Sequence, residues 1–267
     1  MRAARFFAPD LLKDDVALVT GGGTGIGKAI ATAFAHCGAK VVIASRRAEH
    51  LESGAAEVAA VTGVKPLTKI CDIREPQQVA DLVDFIVSEH GRLDVLVNNA
   101  GGQFAQRAEL YSTKGWNAVI DTNLSGTWYV TQAVGRRMIA VGGGRIVSVI
   151  ANHHRGIPGG AHTSAARAAV ANLTKTLAVE WGRHGIRLNT VAPGPIESSG
   201  FDRTYDPAVI ERARSVPLGR LGTVEDVAAA VLFLASPASS WITGATIDVN
   251  GGQHLSGDTW IIEPNAH

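Results

Sequence analysis

Short runs of apolar, β-branched residues alternate along the chain with longer stretches whose apolar positions recur every three or four residues. Val16–Val19, Lys40–Ala44, Val64–Ile70, Val95–Val97, Arg145–Val149, Arg187–Val191 and Thr246–Val249 read as strands. Several are apolar at nearly every position, as parallel strands covered on both faces must be. Between them, Ile26–Cys37, Ala48–Val61, Pro76–His90, Lys114–Val141, Ala161–Arg183 and Val224–Ala235 carry the helical period. Strand and helix alternate to the end. The pattern therefore predicts a single α/β domain over residues 1–267, built on a doubly wound parallel sheet of seven strands. Residues 197–217 fit neither period. They are polar and rich in turn residues, and are expected to form a flap over a site.

Composition narrows the class of partner. Lys and Arg number 25 and Asp and Glu 24, a balance that argues against nucleic acid or a polybasic membrane surface. The longest apolar run, Val227–Ala235, is about half of what a membrane span needs. Cys37 and Cys71 are the only cysteines, which excludes a disulfide framework and fits a reducing compartment. A soluble, cytoplasmic protein acting on a small molecule is expected. The chain has 30 glycines without a collagen-like period, so they belong at particular turns.

The first such turn follows the first strand: Thr20-Gly21-Gly22-Gly23-Thr24-Gly25-Ile26-Gly27. A glycine-rich turn between a strand and a helix brings backbone N–H groups against a pyrophosphate, at a helix end that favours negative charge. Gly21, Gly23, Thr24, Gly25, Ile26 and Gly27 are therefore candidate cofactor contacts. The second strand ends in Ala44-Ser45-Arg46-Arg47. An acidic residue there would hold the ribose 2′-hydroxyl of NAD. Ser45, Arg46 and Arg47 offer a hydroxyl and two guanidiniums, which suit a 2′-phosphate and point to NADP(H). Lys28 stands nearby, either as a further positive charge or as an ordinary surface lysine.

Taken with Asp72, Asn98-Asn99-Ala100-Gly101, Asn123 and Pro193-Gly194, all in order, the chain resembles the short-chain dehydrogenase/reductase family along its whole length. The resemblance implies a Rossmann-type fold. It also implies that Asp72 and Ile73 flank the adenine and that Asn99, Ala100 and Gly101 line the cofactor ribose. Pro193, Gly194, Ile196 and Ser198 would contact the nicotinamide end, and Asn123 would hold a water near the reacting atoms. Helices Lys114–Val141 and Ala161–Arg183 would pair subunits into a homodimer or homotetramer.

The chain departs from the family where the chemistry is done. The family reduces carbonyls with a Tyr acid, a Lys four residues later and a Ser upstream. Those positions hold Thr163, Arg167 and Ala151. A threonine hydroxyl has no accessible pKa, and Arg167 stays charged but cannot shuttle a proton. Asn98–Phe104 and His162–Ala168 are instead similar to the family's trans-2-enoyl-CoA and 2,4-dienoyl-CoA reductases. The dienoyl branch keeps Lys at the position of Arg167 and a Tyr near Asn152 or His153, so the mono-enoyl branch resembles this chain more. That likeness implies an NADPH-dependent reductase of the double bond of an acyl-CoA. Thr163, Arg167 and Asn123 would act at the thioester, and His162 is a candidate proton donor. Two alternatives stay open: a carbonyl reductase with a rewired relay, or a catalytically silent NADP(H)-binding protein. His153-His154 lack partner ligands at a metal-binding spacing, and no metal is expected.

Overall fold

The computed structural model describes residues 6–151, 154–198 and 214–255. Strands β1 (Val16–Thr20), β2 (Lys40–Ser45), β3 (Leu67–Ile70), β4 (Val95–Asn98), β5 (Gly144–Val149), β6 (Ile186–Pro193) and β7 (Thr246–Val249) form one parallel sheet. Their order is β3-β2-β1-β4-β5-β6-β7. The chain thus leaves β1 in one direction and returns through β4 in the other. Ligands of open α/β sheets sit at this switch point, beyond the carboxyl ends of the strands.

Helices α1 (Gly25–His36), α2 (Ala48–Thr62) and α7 (Val224–Ala235) cover one face. Their core includes Ile30, Phe34, Leu51, Val58, Val231 and Leu232. Helices α3 (Pro76–His90), α5 (Thr127–Val141) and α6 (Ala161–Trp181) cover the other, through Leu82, Ile86, Val134, Met138 and Leu177. Strands β1 and β4 are buried along their whole length, which is why they read as unbroken apolar runs. Cys37 and Cys71 are free and buried, and burial pushes the Cys71 thiol up to about 11.

Three elements differ from the sequence pattern. Strand β3 starts at Leu67 rather than Val64; Pro66, just before it, has no N–H to give to a ladder. The single helix expected over Lys114–Val141 is α4 (Thr113–Ile120), a π turn at Asp121–Gly126, and then α5. The hydroxyls of Thr122 and Thr127 donate to the carbonyls of Ala118 and Asn123, a back-bonding that bends helices. Helix α6 ends at Trp181 in a 3₁₀ turn, Gly182–His184. Most of the flap expected at 197–217 lies outside the described residues.

Candidate active site

The glycine turn after β1 is built for close approach. Gly21 has φ +65° and Gly25 φ +49°, both left-handed. A Cβ at Gly27 would run into the carbonyl oxygen of Gly21, whereas one at Gly25 would meet nothing within 4 Å. The turn therefore packs tightly on itself and leaves open space above Gly25. Thr24, the N-cap of α1, makes no side-chain cap, which leaves first-turn N–H groups of the helix for a ligand or water. Asn99 braces the turn from β4: its Nδ2 donates to the carbonyls of Thr20 (3.0 Å) and Gly21 (3.3 Å). The Thr20 hydroxyl accepts from the N–H groups of Asn99 and Ala100, both at 3.1 Å.

A cleft of about 620 Å³ opens here. It is lined by Gly21, Thr24, Gly25, Ile26 and Gly27, and at its far end by Ser45, Arg46 and Arg47. Asp72, Ile73, Asn99, Ala100, Gly101 and Ser198 complete the wall expected from the sequence. His50, Gln103 and Thr122 line it as well and were not foreseen. His50 lies on the first turn of α2, and that turn is seated on the glycine loop: a Cβ at Gly23 would strike the His50 carbonyl.

Gly23, Pro193, Gly194 and Ile196 do not line the cleft. Gly23 supports α2 from below. Pro193 pairs with Val249 in the sheet, and Gly194 lies against Asn250. Ile196 is buried and bridges to Gly222. Lys28 is committed to Glu57. The Asp72 carboxylate is bound by Arg74 at 2.5 Å, which holds its pKa below the usual range. Arg46 lies 3.9 Å from the same carboxylate, and no carboxylate is paired with Arg47 among the described residues. The cleft thus offers an open, glycine-floored cradle with guanidinium groups at one end, a fit for a dinucleotide.

At the other end the π turn points Asn123 at the β4–α4 connection. Its Nδ2 donates to the carbonyl of Gly102, and its Oδ1 accepts from the Gly102 N–H, both at 3.0 Å. The same Nδ2 lies 3.3 Å from the Thr163 hydroxyl oxygen. Since that oxygen accepts, the hydroxyl proton of Thr163 is left to donate elsewhere. One turn along α6, the Arg167 guanidinium presses on Gly101, where any Cβ would collide with it. The residue keeps partial exposure at one edge, but its charged group is enclosed, and desolvation pulls its pKa down to about 10. It remains a cation at neutral pH, and no carboxylate partners it among the described residues.

His162 is fully buried, its Nδ1 accepting from the Thr163 N–H at 2.7 Å. His154 pairs with Asp248 at 2.9 Å; His153 lies outside the described residues. Phe104, Tyr111 and Gly102 also belong to this end and were missed. The doubled glycine after Asn99-Ala100 and the likeness of Asn98–Phe104 to the reductases are the signals that mark Gly102 and Phe104.

Such a fold and cleft suit a dinucleotide-binding protein. Residues 21–254 match the family model described as enoyl-(acyl carrier protein) reductase. The peroxisomal 2,4-dienoyl-CoA reductase of Pongo abelii is 39% identical over 97% of this chain and 88% of its own length. A probable 2,4-dienoyl-CoA reductase of Bacillus subtilis is 40% identical over 90% and 96%. Among solved structures, the citronellol catabolism dehydrogenase of Pseudomonas aeruginosa superposes with a TM-score of 0.84 at 40% identity, covering 93% of this chain and 98% of that one. The chain belongs to the short-chain dehydrogenase/reductase family. It is an oxidoreductase of that family, whose members use a nicotinamide cofactor. No described helix is long and apolar enough to cross a membrane.

Proposed function

We propose that the protein is an NADPH-dependent reductase of an activated carbon–carbon double bond, with a trans-2-enoyl-CoA as substrate. One observation carries the reading: a threonine hydroxyl free to donate stands where the family has its tyrosine acid, one turn from an enclosed arginine without a carboxylate partner. That pair is poorly suited to protonating an alkoxide and well suited to stabilising an oxyanion. The names of the relatives, 2,4-dienoyl-CoA reductases, support the same class of substrate.

When bound, NADPH supplies a hydride to the β-carbon of the enoyl thioester. Negative charge then gathers on the thioester oxygen. Thr163 donates its hydroxyl proton to that oxygen as a hydrogen bond, held in place by Asn123. Arg167 anchors the nicotinamide-side ribose and adds a positive field. Asn123 keeps one Oδ1 lone pair for a water that passes a proton to the α-carbon. Arg46, Arg47 and Ser45 take the 2′-phosphate. Gly21, Thr24, Gly25, Ile26 and Gly27 would cradle the pyrophosphate, while Asp72 and Ile73 would flank the adenine.

We also propose a cytoplasmic homodimer or homotetramer. Val179 on α6 and Trp241 are 85% and 99% exposed, large apolar side chains that a second subunit would cover.

The test is a panel of trans-2-enoyl-CoA, 2,4-dienoyl-CoA, ketone and aldehyde substrates with NADPH and NADH in parallel. The proposal expects enoyl-CoA to be turned over best, and with NADPH. Preferred turnover of a ketone would replace it with carbonyl reduction. NADPH binding without any turnover would replace it with a silent binding protein.

A further inference from the structure

The helix that carries Thr163 and Arg167 begins without a side-chain cap. Its N-cap is Gly160, which has no side chain to offer. The first turn of a helix leaves N–H groups without intrahelical acceptors. Here one of them, on Thr163, is taken by Nδ1 of His162 at 2.7 Å. A ring nitrogen that accepts carries no proton, so the proton sits on Nε2 and the imidazole is neutral.

The ring is held from the β4–α4 connection. Phe104 and Tyr111 each place a ring centroid 4.6 Å from it, tilted by 81° and 61°. Tyr111 is fixed in turn by its hydroxyl, which donates to the Gly159 carbonyl at 2.9 Å. The same carbonyl accepts the Gln106 N–H at 2.9 Å. One connection thus grips both the imidazole and the residue before the N-cap of α6.

We propose that His162 is a positioning residue: its neutral imidazole replaces the missing cap of α6 and holds the backbone of Thr163, so that the Thr163 hydroxyl stays on Asn123. The proposal rests on the reading of Thr163 as the donor to the substrate oxygen. It gives His162 a different role from that of a proton donor. An acid of the usual imidazolium kind would have no acceptor left for the Thr163 N–H. Burial lowers the pKa of His162 and keeps the neutral form in place. Among the described residues, Tyr111 is the titratable group with its ring packed on the imidazole. Of the charged groups on the imidazole's own helix, Arg167 is the nearest in sequence and lies against Gly101, while Lys175 and Glu180 stand further along.

The experiment compares wild type, His162→Ala and His162→Asn. Asparagine places a non-titrating Oδ1 where Nδ1 stands. Long-range ¹H–¹⁵N spectra of the wild-type imidazole should show the Nε2–H form at neutral pH. Hydrogen exchange at the Thr163 amide should be slow in wild type and in His162→Asn, and fast in His162→Ala. With the enoyl-CoA that wild type turns over best, His162→Ala should lose roughly 10–100-fold in kcat, with KM for NADPH unchanged. His162→Asn should recover most of it and lack any fall in rate at acid pH. A protonated Nδ1, a Thr163 amide still protected in His162→Ala, or an asparagine variant no better than alanine at equal melting temperature would each overturn the proposal. If wild type reduces no enoyl-CoA, the reading of the reaction fails, and the spectra and exchange rates still decide the role of the ring.

Discussion

Arg167 brings a positive charge into protein where no described carboxylate meets it. Burying an uncompensated cation is costly unless a ligand supplies the partner. Its pKa of about 10 has a consequence. The charge is complete well below that value and is lost as pH rises through it. NADPH affinity should therefore be flat across neutral pH and weaken above about pH 10, a fall absent from Arg167→Ala; the dissociation constant measured against pH checks this. At the far end of the cleft, Arg46→Ala and Arg47→Ala should each weaken NADPH. A hydrogen bond to a charged group contributes about 1.5–3 kcal/mol, so the loss is roughly ten-fold or more. NADH binding should hardly change, and titration with both cofactors decides it.

These residues were legible in the sequence because Arg46 and Arg47 follow the second strand and Arg167 stands at the position of the family's lysine. His50 and Tyr111 were not. They reach the site through packing, His50 because α2 rests on Gly23, and Tyr111 because the β4–α4 connection folds over His162.

Among elements, the π turn between α4 and α5 shows what a hydrophobic period cannot. The apolar face continues on both sides of it, so Lys114–Val141 reads as one helix. The turn is set by two threonine hydroxyls and by the side-chain grip of Asn123 on Gly102, none of which alters the pattern. The seven strands and the remaining helices were legible to within a few residues, since burial on both faces of the sheet dictates their composition. Helix α7 offers a test of local stability. Thr223 and Asp226 form a reciprocal capping box, with Thr223 Oγ accepting at 3.2 Å and Asp226 Oδ2 at 2.8 Å. Thr223→Ala should cost about 1 kcal/mol. In a chain of this size that is a fall in melting temperature of about 2–4 °C.

Asp226 adds a pH dependence. Hydrogen bonds from Arg220 foremost, then from Thr223, hold its folded pKa below the usual carboxylate range. Its contribution is present above the unfolded value, about 3.9, and is lost as pH falls through the folded one. Asp226→Asn should melt earlier than wild type at pH 7, and the gap should close below about pH 4. Melting curves at the two pH values give the answer.

On the scale of the whole molecule, the cleft joins both halves of the sheet. The glycine turn comes from β1, Arg46 and Arg47 follow β2, Asn99 follows β4, and Ser198 lies beyond β6. A ligand that spans these parts stabilises the fold by mass action, by about 2.7 kcal/mol at a hundred times its dissociation constant. NADPH should raise the melting temperature more than NADH at equal concentration, and Arg46→Ala should remove the difference.

On the proposed function, the fold carries an oxyanion site for a thioester in place of a tyrosine acid for a carbonyl. The most direct test is the rate of NADPH oxidation with a trans-2-enoyl-CoA in wild type, Thr163→Val and Arg167→Ala. The proposed function predicts turnover in wild type and a fall of roughly 10²–10³-fold in kcat for Thr163→Val, the cost of one oxyanion donor. Arg167→Ala should lose both rate and NADPH affinity. Unchanged turnover in both variants would contradict the account.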